Sequence, residues 1–144
     1  MILLLSRFFC ALPLSTALFI GRLFGYLLFY LIPIRRHVAY ENLDRIFGET
    51  LSKQDRMQII RSCYVHLCLY GIESLRAPLM TEKLSTELVN RIGFKEVDKS
   101  LYEGRGVIAA IAHIGNIDMI GYSQSVRGYK LNAIVKEIHW KPVH

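Results

Sequence analysis

Residues 8–34, FFCALPLSTALFIGRLFGYLLFYLIPI, carry a single charged side chain, Arg22. As a helix rising about 1.5 Å per residue, the run is long enough to cross a hydrocarbon core of about 30 Å. Two residues oppose a simple span. Pro13 kinks any helix it interrupts, and Arg22 sits near the middle, where a charge costs about 2.5–3.5 kcal/mol on insertion scales. A spanning helix and a tilted or interfacial anchor therefore both fit. Arg35 and Arg36 follow the run directly, which favours a cytoplasmic location for what comes next. A cleaved leader is not expected, because the first six residues lack a basic side chain and no small-x-small site precedes RRHVAYENL. Residues 1–34 are expected to form a membrane anchor, with residues 35–144 held at the membrane behind it.

The 144-residue chain is long enough for one domain with a real core. Its mean hydropathy of +0.28 is high for a soluble domain, but the excess is concentrated in the N-terminal run. The net charge of +6 is spread along the chain, without a basic stripe interleaved with aromatic residues. Nucleic acid is therefore not an expected partner, whereas an anionic membrane surface is. Cys10, Cys63 and Cys68 show no C-x-x-C spacing, so they read as reduced, packed thiols, and no metal site is expected.

Beyond the anchor, Ala39, Leu43, Ile46 and Phe47 fall on one helical face within residues 35–48, and Gly48 supplies the stop. Ser52 with Asp55 forms a capping box for a second helix, which runs to about Arg76 and is ended by Pro78. His66 within it and His37 at the preceding helix start read as packed or surface residues. A short helix or loop and a possible strand follow from residue 81, then a helical piece ending at Gly104. GVIAAIA, residues 106–112, is the small apolar run expected of a strand buried on both faces. Residues 116–127 read as a helix closed by Gly128, and KLNAIVKEI as a second strand. The expected fold is therefore α/β, with an N-terminal membrane helix and a helical segment leading into a right-handed βαβ unit. Because a parallel sheet normally needs more strands than two, the domain is expected to be incomplete.

Chemistry is expected where the first strand ends. His113 follows it, Gly115 permits a tight turn, Asn116 is a strong N-cap, and Asp118 stands five positions after His113. Five residues along a regular helix turn two side chains about 140° apart. The pair can meet only if His113 lies in the turn and Asp118 in the helix's first turn. A neutral imidazole so placed can take a proton from an alcohol attacking an acyl carbonyl, while the carboxylate fixes its tautomer. Backbone N–H groups at the helix start can hold a phosphate or a developing oxyanion. No Ser or Cys lies in the turn to serve as nucleophile, so direct attack by the substrate hydroxyl is the simpler route. On spacing alone, a capped helix start without chemistry fits equally well.

The segment EGRGVIAAIAHIGNIDMIGY resembles the G-x-G-V-I…A-H-x-G-N-W-E block of the bacterial lipid A biosynthesis acyltransferases, within the wider H-x-x-x-x-[DE] glycerolipid acyltransferases. RRHVAYENLDRIF, with Arg35, Arg36, Asn42, Leu43 and Phe47, resembles the basic helix that follows those enzymes' N-terminal membrane helix. The likeness runs over essentially the whole chain. It implies transfer of a fatty acyl group from acyl carrier protein to a hydroxyl of a lipid A precursor, at the cytoplasmic face of the bacterial inner membrane. It makes His113 the general base and Asp118 its orienting carboxylate, assigns Gly115 and Asn116 to the substrate-binding turn, and implies no cofactor. Ile117 and Asp118 stand where lipid A enzymes usually have Trp and Glu. That departure leaves another glycolipid or a glycerophospholipid as alternative acceptor. Family members continue past this point with motifs that hold the acceptor and build the acyl tunnel. The chain is therefore expected to be an N-terminal portion, active or a non-catalytic remnant.

Overall fold

The computed structural model describes residues 1–134. Among the described residues seven α-helices follow one another: α1 (Ile2–Ala11), α2 (Leu14–Leu31), α3 (Arg36–Phe47), α4 (Lys53–Leu75), α5 (Glu82–Leu88), α6 (Phe94–Tyr102) and α7 (Ile117–Val126). Short 3₁₀ turns at Gly48–Thr50 and Ala77–Leu79 close α3 and α4.

Most boundaries follow from local chemistry. Pro13 splits the apolar run into two helices, since its ring leaves no N–H for a continuous ladder. At the start of α4 the Asp55 N–H donates to Ser52 Oγ over 3.1 Å and the Ser52 N–H donates back to Asp55 Oδ2, the reciprocal box expected from the sequence. Thr81 caps α5 by accepting the Leu84 N–H. Gly128, at φ +87°, takes the left-handed conformation that ends α7.

Packing centres on α2 and α4, which lie side by side and antiparallel. Ala17, Gly21, Gly25 and Phe29, each four residues apart, form the buried stripe of α2. A Cβ on Gly25 would stand 2.5 Å from Val65 Cα, so α4's backbone approaches α2 more closely than any side chain allows. One built on Gly21 would meet Ile72 Cγ1 at 3.0 Å. The edge of the Phe29 ring meets Tyr64 5.6 Å away, and the Tyr64 hydroxyl donates to the Ile34 carbonyl. At the other end of α4, Phe9, Ala17 and Ile72 form a small apolar core. There Arg76 donates to the Leu12 carbonyl over 2.6 Å and to Phe9 O, tying down the α1–α2 bend. Leu14–Leu31 is long and apolar enough to cross a membrane. Of the expected apolar face of α3, Ala39 and Leu43 are half-buried, while Ile46 and Phe47 are exposed.

The α/β expectation is overturned: the described residues contain helices and no strand. Residues 106–112 form no ladder, and Ile108 is 98% exposed. A strand exists only through bonds to a neighbour, and among the described residues this run has none. Nor does a strand follow α5, and residues 130–134 are exposed and irregular. The remainder of KLNAIVKEI lies outside the described residues. With neither flanking strand present among the described residues, α7 is not seen as the crossover of a βαβ unit. It is held instead by polar contacts. Ser85 of α5 and Ser123 of α7 are fully buried with their hydroxyl oxygens 2.7 Å apart, and Arg127 Nε donates to Ser85 Oγ over 2.6 Å. Arg91 adds bonds to Gln124 Oε1 and the Tyr129 hydroxyl, and stacks over Phe94.

Candidate active site

The loop from Arg105 to Asn116 delivers the turn to the start of α7. Its tightest point is at His113, bracketed by a bond of 2.8 Å from the Ile114 N–H to the Ala112 carbonyl. Gly115 then adopts φ +66°, a left-handed conformation that L side chains resist, so glycine is required by the turn itself. Asn116 caps α7 as expected: its Oδ1 accepts the Met119 N–H over 3.2 Å. Asp118 lies in the first helical turn, where the helix dipole favours a carboxylate.

Two residues of α4 reach this turn. Glu73 Oε2 accepts a bond of 2.7 Å from Asn116 Nδ2, and the Tyr70 hydroxyl donates to Asp118 Oδ2. Three residues apart, Tyr70 and Glu73 share a helical face. They fix the cap and the carboxylate together against α4. The bond to Asp118, with burial second, pushes the Tyr70 hydroxyl above its ordinary pKa of 10.0.

Thus His113 sits in the turn before the helix and Asp118 in its first turn, the placement the spacing required. The two are not joined. His113 is exposed and makes no side-chain hydrogen bond among the described residues, while Asp118 is held by Tyr70. Tyr70 and Glu73 escaped sequence reading. Their spacing was visible, but nothing local links them to residues 48 and 43 positions away. His66 and His37 are both exposed, and the three cysteines are free thiols, of which Cys63 is exposed and not packed as expected. Burial raises the pKa of Cys68.

A family model described as bacterial lipid A biosynthesis acyltransferase matches residues 1–139. The chain belongs to this family. The match covers both RRHVAYENLDRIF and the His113–Asp118 turn. No curated protein and no solved structure matches the chain significantly. Membership in the lipid A acyltransferase family carries an acyl-transfer role in lipid A biosynthesis and a lipid acceptor. Within such a protein, the Tyr70–Asp118 and Glu73–Asn116 contacts are what this fold supplies around the motif.

Proposed function

We propose that this lipid A acyltransferase family member moves a fatty acyl group from the thioester of acyl carrier protein to a hydroxyl of a lipid A precursor. The observation that carries this reading is the capped His113–Gly115–Asn116–Asp118 turn inside the family match. In the proposed reaction neutral His113 takes the acceptor hydroxyl's proton as its oxygen attacks the thioester carbonyl. Collapse of the tetrahedral intermediate forms the ester and breaks the C–S bond. The imidazolium returns its proton to the departing thiolate. Asp118 orients the imidazole through Oδ1, since its other oxygen serves Tyr70 and a carboxylate has room for both. This requires the exposed His113 side chain to turn toward α7 when substrate binds. Asn116 and Gly115 shape the turn, and backbone N–H groups at the α7 start face the developing oxyanion. Tyr70 and Glu73 act as positioning residues. No cofactor enters the scheme. Residues 1–34 serve as the membrane-facing part and residues 35–144 as the acyltransferase part, on the cytoplasmic side of the inner membrane.

The test is transfer of radiolabelled acyl groups from acyl carrier protein to a lipid A precursor by the purified chain. The reading expects ester formation, reduced at least about 10³-fold in His113→Ala. Transfer that survives His113→Ala unchanged contradicts the base assignment. Transfer to glycerophospholipid or another glycolipid in place of the lipid A precursor contradicts the acceptor. No transfer to any of them leaves the chain a membrane-bound, non-catalytic member of the family.

A further inference from the structure

We infer that α2 lies in the surface of an anionic lipid bilayer, in the plane of the membrane and not across it. This deepens the membrane attachment proposed above and is independent of the acyl-transfer reading. The first observation is the α2–α4 pair. From Ala17 against Ile72 to Phe29 against Tyr64, α4 accompanies α2 along almost its whole length, and Gly25 locks the two backbones together. Within that stretch α4 carries Tyr70 and exposed His66, with Glu73 directly after it, and Tyr70 and Glu73 reach α7. An α2 that crossed the bilayer would draw these groups, Asn116 and the Asp118 carboxylate into hydrocarbon, where none has water to solvate it. The pair satisfies both media only when α4 faces water and α2 faces lipid.

The second observation is the outer face of α2. Phe19, Leu23, Tyr26 and Tyr30 form a stripe opposite the one that packs on α4, and all are exposed, Phe19 by 64%. Two tyrosines on such a stripe suit the headgroup boundary, where their rings are buried and their hydroxyls stay wet. Charge selects the partner. The first 40 residues contain Arg7, Arg22, Arg35 and Arg36 and no Asp or Glu. Arg7, Arg22 and Arg35 are exposed. In the in-plane geometry Arg22, the residue that disfavours a span, reaches headgroup phosphates with its guanidinium while its stem lies along the apolar layer.

The experiment reads topology, not turnover. Single cysteines replace Ile2, Leu23 or Tyr102 in a chain whose Cys10, Cys63 and Cys68 are serine. Each variant is added to preformed vesicles of phosphatidylglycerol and phosphatidylcholine and treated with a membrane-impermeant maleimide. In-plane binding expects residues 2 and 102 to react equally from outside, and residue 23 to be protected about tenfold or more only when vesicles are present. Protection of residue 2 until detergent is added, with residue 102 reactive, would show a span and overturn the inference. So would a reactive residue 23 on vesicles, or its protection without lipid, which would mark a second copy as the occupant. The unsubstituted chain gives a check that needs no cysteine replacement. Alkaline carbonate should release it from vesicles, and joint Arg7→Glu and Arg22→Glu substitution should weaken binding to anionic vesicles by about tenfold or more. Resistance to carbonate, or binding indifferent to the two arginines, contradicts the in-plane geometry.

Discussion

The α2–α4 pair and the α5–α7 pair solve the same packing problem with opposite chemistry. In the first, glycines and an alanine remove side chains so that two backbones meet, and Ile72, Leu69 and Val65 fill the seam. In the second, two serines remove bulk but keep hydroxyls, so the seam is held by hydrogen bonds that Arg127 completes. An apolar seam is roughly proportional to area and tolerates small shifts. A buried polar seam depends on every partner being present. The candidate site lies between them: Tyr70 and Glu73 come from the apolar-packed α4, and Asn116 and Asp118 from the polar-packed α7. The carboxylate is thus held against the apolar-packed α4, while His113 lies in a loop that belongs to neither pair.

Substitutions that attack one seam at a time sharpen this contrast. The largest effect is expected at Gly25. Gly25→Val places methyl groups where Val65 backbone already stands, and should cost about 3 kcal/mol or prevent folding, as read by denaturant unfolding. Gly71, on α4 with nothing within 4 Å of its missing Cβ, is the control; Gly71→Ala should stabilise by about 1 kcal/mol. If both glycines tolerate alanine or valine alike, the close approach is not what holds α2 to α4.

Next comes Ser85→Ala, which removes the 2.7 Å partner of the buried Ser123 hydroxyl and the acceptor of the half-buried Arg127 Nε, and should cost about 2 kcal/mol. A neutral outcome would mean that water reaches the seam and that the polar contrast fails. Asn116→Ala removes the α7 cap and the link to Glu73, for about 1 kcal/mol. Asn116→Asp should keep the cap but set a second carboxylate against Glu73.

The smallest effect concerns Tyr70. A hydroxyl whose pKa is raised in the folded state contributes stability that is complete below its unfolded pKa of 10.0 and is lost as pH climbs through the higher folded value. Unfolding measured across alkaline pH should therefore show a decline above pH 10 that Tyr70→Phe reduces. An identical decline in the variant would mean that Tyr70 does not serve Asp118.

Helix ends were legible in the sequence wherever one residue type performs one local task. Ser52 with Asp55, Gly48, Pro78, Asn116 and Gly128 all mark the boundaries expected of them. The strand at 106–112 was not legible, for a physical reason. A run of small apolar residues reports what such a segment would bury as a strand, not whether a neighbour is there to pair with it. The site divided along the same line. His113, Gly115, Asn116 and Asp118 lie within one turn and could be placed from spacing. Tyr70 and Glu73 meet them only because α7 comes to rest on α4. In the same way, Val65, Leu69 and Ile72 meet the two buried glycines of α2 only because α4 lies along it.

Amide hydrogen exchange on the vesicle-bound chain tests the two-region account most directly. The account expects slow exchange through the centres of α2 and α4, intermediate exchange at the Met119 amide bonded to Asn116, and immediate exchange from Gly106 to Ala112. Tyr70→Phe and Glu73→Gln should speed exchange in the first turn of α7 and leave α2 unchanged. Protection of alternate amides between residues 106 and 112 would reveal a paired strand and contradict the account.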